Sequence, residues 1–173
     1  MDAVTLLGDQ LKQAHGIVAG TIGDLTSEQA AWNPGGEANG IAAELIHLIS
    51  AEDMFLNMMI SRQPLAMGAF AGKTGASEPH PMDNRTFRDW AKRVTADLPQ
   101  VKDYMQAVFK STEDYVANLS PDELDRELDL TSAGLGKMSL GGFISMIAVI
   151  HPSNHVGEIS AMKGIQGGKG YPF

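Results

Sequence analysis

The ten residues HPSNHVGEIS, 151–160, carry two histidines four apart and a glutamate three further on. On a helix His151, His155 and Glu158 share one face, because residues three and four apart are neighbours across a turn. Two imidazoles so spaced can reach one metal ion, and imidazole suits zinc, nickel and other divalent cations. A histidine ligand usually donates its second ring N–H to a carboxylate, a role open to Glu158. Pro152 lies inside the pair. In a helix interior proline withholds an N–H from the carbonyl four residues back, here Ala148, at about 3 kcal/mol. Local rules tend to be broken at functional sites. The expectation is therefore a continuous but distorted helix whose distortion aims both histidines at one point. The plainer alternative is a helix that ends near Ile150 and restarts at Ser153.

A metal site needs at least a third protein ligand, and His47 is the best candidate, with the small Ala51 one turn on leaving room beside an ion. Glu44 precedes His47 by three, and Glu-x-x-His is also a motif of di-metal carboxylate bundles. Those sites use the motif twice, whereas ELIH occurs once here, so a mononuclear site of three histidines is preferred. Three histidines and one open position describe a catalytic rather than a structural centre. Glu158 and Glu44 are candidate catalytic groups, as proton acceptors or as partners of the ligands; an equal alternative is carboxylates at the solvated end of a helix. Both 151 and 155 fall on an apolar stripe with Ile144, Ile147 and Met162, where unligated imidazoles are costly. Three titrating ligands predict metal affinity falling below about pH 6, by up to roughly tenfold per ligand per pH unit. His15 and His80 are assigned no ligand role.

Four long helical segments must position these groups. Val4, Leu7, Leu11, Ala14, Val18 and Ile22 recur at steps of three and four over 3–24. Thr26 and Gln29 have capping-box spacing, and NPGGEANG is a loop. A helix capped by Asn39 runs from Gly40 to about Arg62, apolar on two sides and therefore central. Residues 63–83 form a long loop, the kind that is often functional or mobile. A third helical stretch spans about 84–119, kinked or restarted at Pro99. Residues 121–138 read as a turn and a loop without strands. Ser139 caps the last helix, and the terminal glycines end it. The fold class is all-α, a four-helix bundle forming one domain over 1–173, with the long loop between helices 2 and 3.

The chain has 173 residues, 43 % of them apolar and 20 % charged, with a net charge of −8 and no cysteine. Lacking clustered Lys and Arg, it fits no nucleic-acid partner. Cys nucleophiles, disulfides and zinc-thiolate sites are excluded, so any thiol chemistry must use an external thiol. The longest apolar stretch, Met138 to Ile150, contains Gly141 and Gly142 and is too short for a bilayer, so no membrane partner is expected. The start lacks a signal-peptide pattern, and a cytoplasmic protein is expected.

NGIAAELIHLISAED, followed by HPSNHVGEISAMKGIQGGKGYPF, resembles the DinB-like (YfiT-like) four-helix-bundle metalloprotein superfamily. LTSEQAAWNPGGEANGIA matches that family's first inter-helix loop, and the resemblance extends over essentially the whole chain. H-x-x-x-H-x-G-E-I is its most specific element, with Pro152 a local departure. The resemblance implies a histidine triad at His47, His151 and His155 with a divalent metal, zinc or nickel foremost. It implies thiol-dependent S-transfer to a small-molecule substrate, with mycothiol, bacillithiol or a similar low-molecular-weight thiol, and a homodimer. Many such proteins have no known activity. A non-catalytic metal- or ligand-binding stress protein, or a metal-dependent hydrolase, are the alternatives.

Overall fold

The computed structural model describes residues 1–173, the side chain of Asn84 excepted. Helix α1, Ala3–Thr21, starts where the Asp2 carboxylate accepts the Thr5 N–H at 2.8 Å. It buries Leu7, Leu11, Ala14 and Val18, the stripe the periodicity predicts. The Thr26–Gln29 capping box opens the short α2, Ser27–Ala31. Helix α3, Ile41–Glu52, begins at Gly40 with no side-chain cap. Asn39, expected to cap it, instead turns its amide to Glu44 Oε1 at 2.7 Å. Helix α3 continues through one π-helical turn, Asp53–Asn57, into α4, Met58–Ser61, and stops at Arg62 in the left-handed region.

The third stretch is two helices, α5, Asn84–Ala91, and α6, Leu98–Ala117. Pro99 occupies the first turn of α6, where its missing N–H costs nothing, and Asp97 caps that turn. The chain then forms α7, Pro121–Leu124, and an antiparallel hairpin of β1, Glu127–Leu130, and β2, Gly136–Ser139. No strand was expected there. Leu128 and Leu130 alternate inward against exposed Glu127 and Asp129, and left-handed glycines 134 and 136 make the turn. Four residues are too few for that alternation to stand out in the sequence. The final run is α8, Leu140–Ser145, a second π-helical turn, Met146–Ile150, and α9, His151–Ile165. Ser139 caps α8 as expected.

Helices α1, α6, α3 and α9 form the bundle, each packed on two others: α1 on α6 and α9, α3 on the same pair. Among the described residues, no helix is long and apolar enough to cross a membrane.

The long loop is pinned rather than free. The buried Asp53 carboxylate accepts the Leu65 and Ala66 N–H groups at 2.8 and 2.9 Å and the Tyr104 hydroxyl at 2.7 Å. Gly75, at φ +80°, sits so near α6 that a Cβ would lie 2.5 Å from Val101 N. Only glycine tolerates both the conformation and the approach.

A second buried polar station ties α1, α3 and α6. His15, 3 % exposed, stacks on Phe109 and contacts Glu52 at 3.2 Å and Glu113 at 2.8 Å through its two ring nitrogens. Two carboxylates can only accept, so both nitrogens donate and the ring is imidazolium. Burial opposes that charge, but the hydrogen bonds and charges of Glu52 and Glu113 outweigh it and hold the pKa above the ordinary 6.5. A raised folded-state pKa gives stability that is present below the unfolded value and is lost as pH rises through the folded one. The stability advantage of the wild type over His15→Gln in urea unfolding should be largest near about pH 6 and shrink toward about pH 9. An advantage independent of pH across that interval would rule out the imidazolium.

Candidate metal centre

Of the twelve residues of α3, every one is buried except His47. The helix is central, as its two apolar faces require, and its single half-open position carries an imidazole. His151 and His155 stand at the start of α9, directly after the π-helical turn. Pro152 explains that turn. Without its N–H the i→i−4 ladder cannot pass, and His151 N–H bonds the Met146 carbonyl five residues back. The wide turn rotates the residues after it relative to those before it.

That rotation corrects the single apolar stripe expected along the last helix. Phe143 and Ile144 are buried before the turn, Ile147 and Ala148 within it, and Pro152, Val156, Ile159 and Met162 after it. Val156 and Ile159 face the core, and His151 and His155 are half-buried at its edge. The helix is continuous and distorted, with no break at Ser153.

The three rings converge through their Nε2 atoms. His151 Nε2 lies 3.1 Å from His47 Nε2 and 3.1 Å from His155 Nε2. Tetrahedral ligands at about 2.0–2.1 Å from zinc stand roughly 3.3 Å apart, so little movement is needed to receive an ion. The other ring nitrogens are set by their neighbours. His155 Nδ1 donates to Glu158 Oε2 at 2.8 Å, with Glu44 Oε2 flanking it at 2.6 Å. Glu44 Oε2 is buried and makes no well-directed hydrogen bond, so it acts on His155 as a charge more than as an acceptor. His47 Nδ1 meets His80 Nε2 at 2.8 Å. A metal on His47 Nε2 requires that His47 be the donor in that pair, with His80 Nε2 accepting. Nε2 is the nitrogen that His47 and His155 both turn toward the common point.

His151 supplies the test of fit. Its Nδ1 is buried with no hydrogen-bond partner among the described residues. A proton on His151 Nε2 would leave Nδ1 a bare acceptor, a costly buried state. A proton on Nδ1 would leave that N–H without an acceptor and turn a bare His151 Nε2 toward the Nε2 atoms of His47 and His155, each 3.1 Å away. A cation at the shared point would take up that lone pair. The donor set, three imidazoles with carboxylate and imidazole acceptors behind two of them, fits a divalent metal.

Burial, then the neighbouring rings, push the pKa of His47 down to about 3. Burial, then His155, push His151 down to about 4. Burial also disfavours charge on His155, but Glu44 and Glu158 overcome it and raise its pKa above 6.5. Glu44 is lowered: burial opposes ionisation, and the close His155 ring and the Asn39 hydrogen bond outweigh it. Glu158 is raised by burial and by the Glu44 charge.

All five residues singled out in the sequence, His47, His151, His155, Glu44 and Glu158, meet in this one place. Two overlapping groups of potential ligands share His155: the triad, and Glu44 with Glu158. His15, given no ligand role, lies in the separate ion pair with Glu52 and Glu113. His80 was given none either, yet it backs His47. Its 33-residue separation from His47 follows no helical spacing. Its one sequence signal is a histidine held between Pro79 and Pro81 in the long loop.

The family model describing the DinB superfamily matches residues 10–159. A crystal structure of a conserved protein from Enterococcus faecalis shares the fold, with a TM-score of 0.73 at 18 % identity, over 95 % of this chain and 99 % of that one. Among curated proteins, no significant match exists.

The shifts revise the expected pH dependence of metal binding. With His47 and His151 neutral down to about 4, only His155 competes with protons near neutrality. Zinc affinity, measured by competitive chelator titration, should fall about tenfold per pH unit below the raised His155 value, until roughly pH 5. A fall near a thousandfold per unit would mean that all three rings titrate together and the depressed values are wrong.

Proposed function

The chain belongs to the DinB superfamily, and on that premise we propose that it is a divalent-metal-dependent S-transferase that uses an external low-molecular-weight thiol and a small-molecule electrophile. The supporting observation is the convergence of three Nε2 atoms, that of His151 lying 3.1 Å from each of the other two, with the second nitrogens of His47 and His155 engaged by His80 and Glu158. His47, His151 and His155 hold the metal, zinc or nickel, and leave one position open. A divalent cation there supplies Lewis acidity, favouring the thiolate over the thiol. The chain has no cysteine of its own, so the sulfur comes from outside.

The remaining work falls to side chains around the triad. Glu44, buried and held by Asn39, orients His155. Glu158 is the more exposed carboxylate, its pKa is raised, and it serves as proton acceptor for the incoming thiol. His80 fixes the tautomer of His47. The protein works as one domain in the cytoplasm and as a homodimer. Phe55, Met58 and Ile150 support the dimer, standing exposed on the two helical runs that contain π-helical turns.

Elemental analysis of the purified protein should give about one divalent ion per chain. His155→Ala should lose most of that metal, and thiol conjugation with it, while keeping its helical circular-dichroism spectrum; His15→Ala should keep the metal. Conjugation that survives complete chelation would overturn the transferase reading. Full metal content in His155→Ala would overturn the ligand set. Light scattering that returns the monomer mass would remove the dimer.

A further inference from the structure

His80 has two neighbours of different kinds. Its Nε2 bonds His47, and its ring also lines a cavity of about 530 Å³ between α3, α6 and the long loop. Ser50 and Met54, on the helix that carries His47, form one wall, one and two turns beyond it. Met67 and Met82 from the loop and Tyr104 from α6 form the others. The volume lies inside the ordinary range for small-molecule sites.

Three features make this a built pocket rather than loose packing. Its frame is fixed: Asp53 ties the Leu65–Ala66 turn and the Tyr104 hydroxyl to α3, and Phe70 packs on Tyr104. Further along, Ser77 N–H bonds the Thr95 carbonyl, and Asp97 N–H bonds the Gly75 carbonyl. Its lining is uncharged throughout, in a chain whose net charge is −8. The methionines Met67 and Met82 are 54 % and 75 % exposed, and their flexible thioethers suit a mouth that adapts to its contents.

We propose that this cavity binds a neutral, mainly apolar small molecule, an aromatic or branched aliphatic body with few polar groups, seated against His80 and thereby coupled to His47. A charged ligand would find no counter-charge on these walls and would lose its hydration on entry. An apolar body would gain burial among thioethers and the Tyr104 ring. The hydroxyls of Ser50, Thr74 and Ser77 give it orientation. The inference deepens the transferase reading by naming the class of its electrophile. It rests on that reading for the role of the bound molecule and not for the binding.

The probe is N-phenyl-1-naphthylamine, an uncharged dye that brightens in apolar surroundings, titrated into the full chain carrying ¹³C-methyl methionine. Saturable binding should shift the methyl signals of Met54, Met67 and Met82 and leave those of Met1, Met138 and Met162 in place. Ala66→Trp, which fills the cavity from the loop side, should weaken binding by roughly tenfold or more, with zinc affinity unchanged within about twofold. Absence of saturable binding, or shifts confined to other methionines, overturns the proposal whatever the variant does. Equal dye affinity in Ala66→Trp overturns it too. The two readings fail separately. Zinc binding without dye binding removes the pocket and keeps the metal centre, whereas dye binding without zinc binding does the reverse.

Discussion

Pro152 has no amide hydrogen to offer the carbonyl one turn back, and the helix carrying His151 and His155 is shaped by that absence. The ladder resumes with a bond five residues long, from His151 N–H to the Met146 carbonyl. One residue is in effect added to the turn, and the side chains beyond it are rotated relative to those before. Val156 then faces the core, and the two histidines face the edge, where His47 is the one half-open residue of α3. With Pro152 replaced by a residue that can bond normally, nothing local would require the wide turn. A proline in mid-helix costs about 3 kcal/mol when uncompensated, and here the bond from His151 N–H to the Met146 carbonyl replaces part of the regular ladder.

The histidine-bearing α3 also runs into a π-helical turn, Asp53–Asn57, where no proline stands. Asp53 is fully buried and serves Asn57, Tyr104 and two loop amides at once. A buried carboxylate is tolerable only with such partners. Satisfying it fixes the start of the long loop, and Gly75 fixes its middle against α6. The loop end then has little freedom, and His80 arrives at His47. Closing a loop of that length would otherwise cost entropy and leave its tip mobile.

The electrostatics of the centre divide by partner. His47 and His151 have imidazole and apolar neighbours and are held neutral. His155 has two carboxylates and holds a proton more tightly. His15 does so as well, but both of its nitrogens are occupied by acceptors, so it has no lone pair for a ligand. One residue type thus does two jobs in one bundle. The difference is whether the second nitrogen meets a carboxylate or the other rings.

Period and punctuation in the sequence carried the helices. Stripes at steps of three and four, the Thr26 and Ser139 caps and Pro99 in a first turn are local features, and locally determined structure is legible in order along the chain. The triad was legible for the same reason: His151 and His155 are a helical turn apart, and His47 sits on the most apolar segment. The family resemblance, on H-x-x-x-H-x-G-E-I, agreed with the family match found over 10–159. The hairpin at 127–139 was not legible, because four-residue strands carry too few alternations. His80 and the Asp53 station were not legible either. Their partners lie 33, 12 and 51 residues away, and no spacing rule links residues that meet only after a loop has closed. Pro152 announced a distortion, but that the two histidines leave the core stripe was decided only in the folded structure, because the rotation depends on which hydrogen bond the helix adopts around the proline.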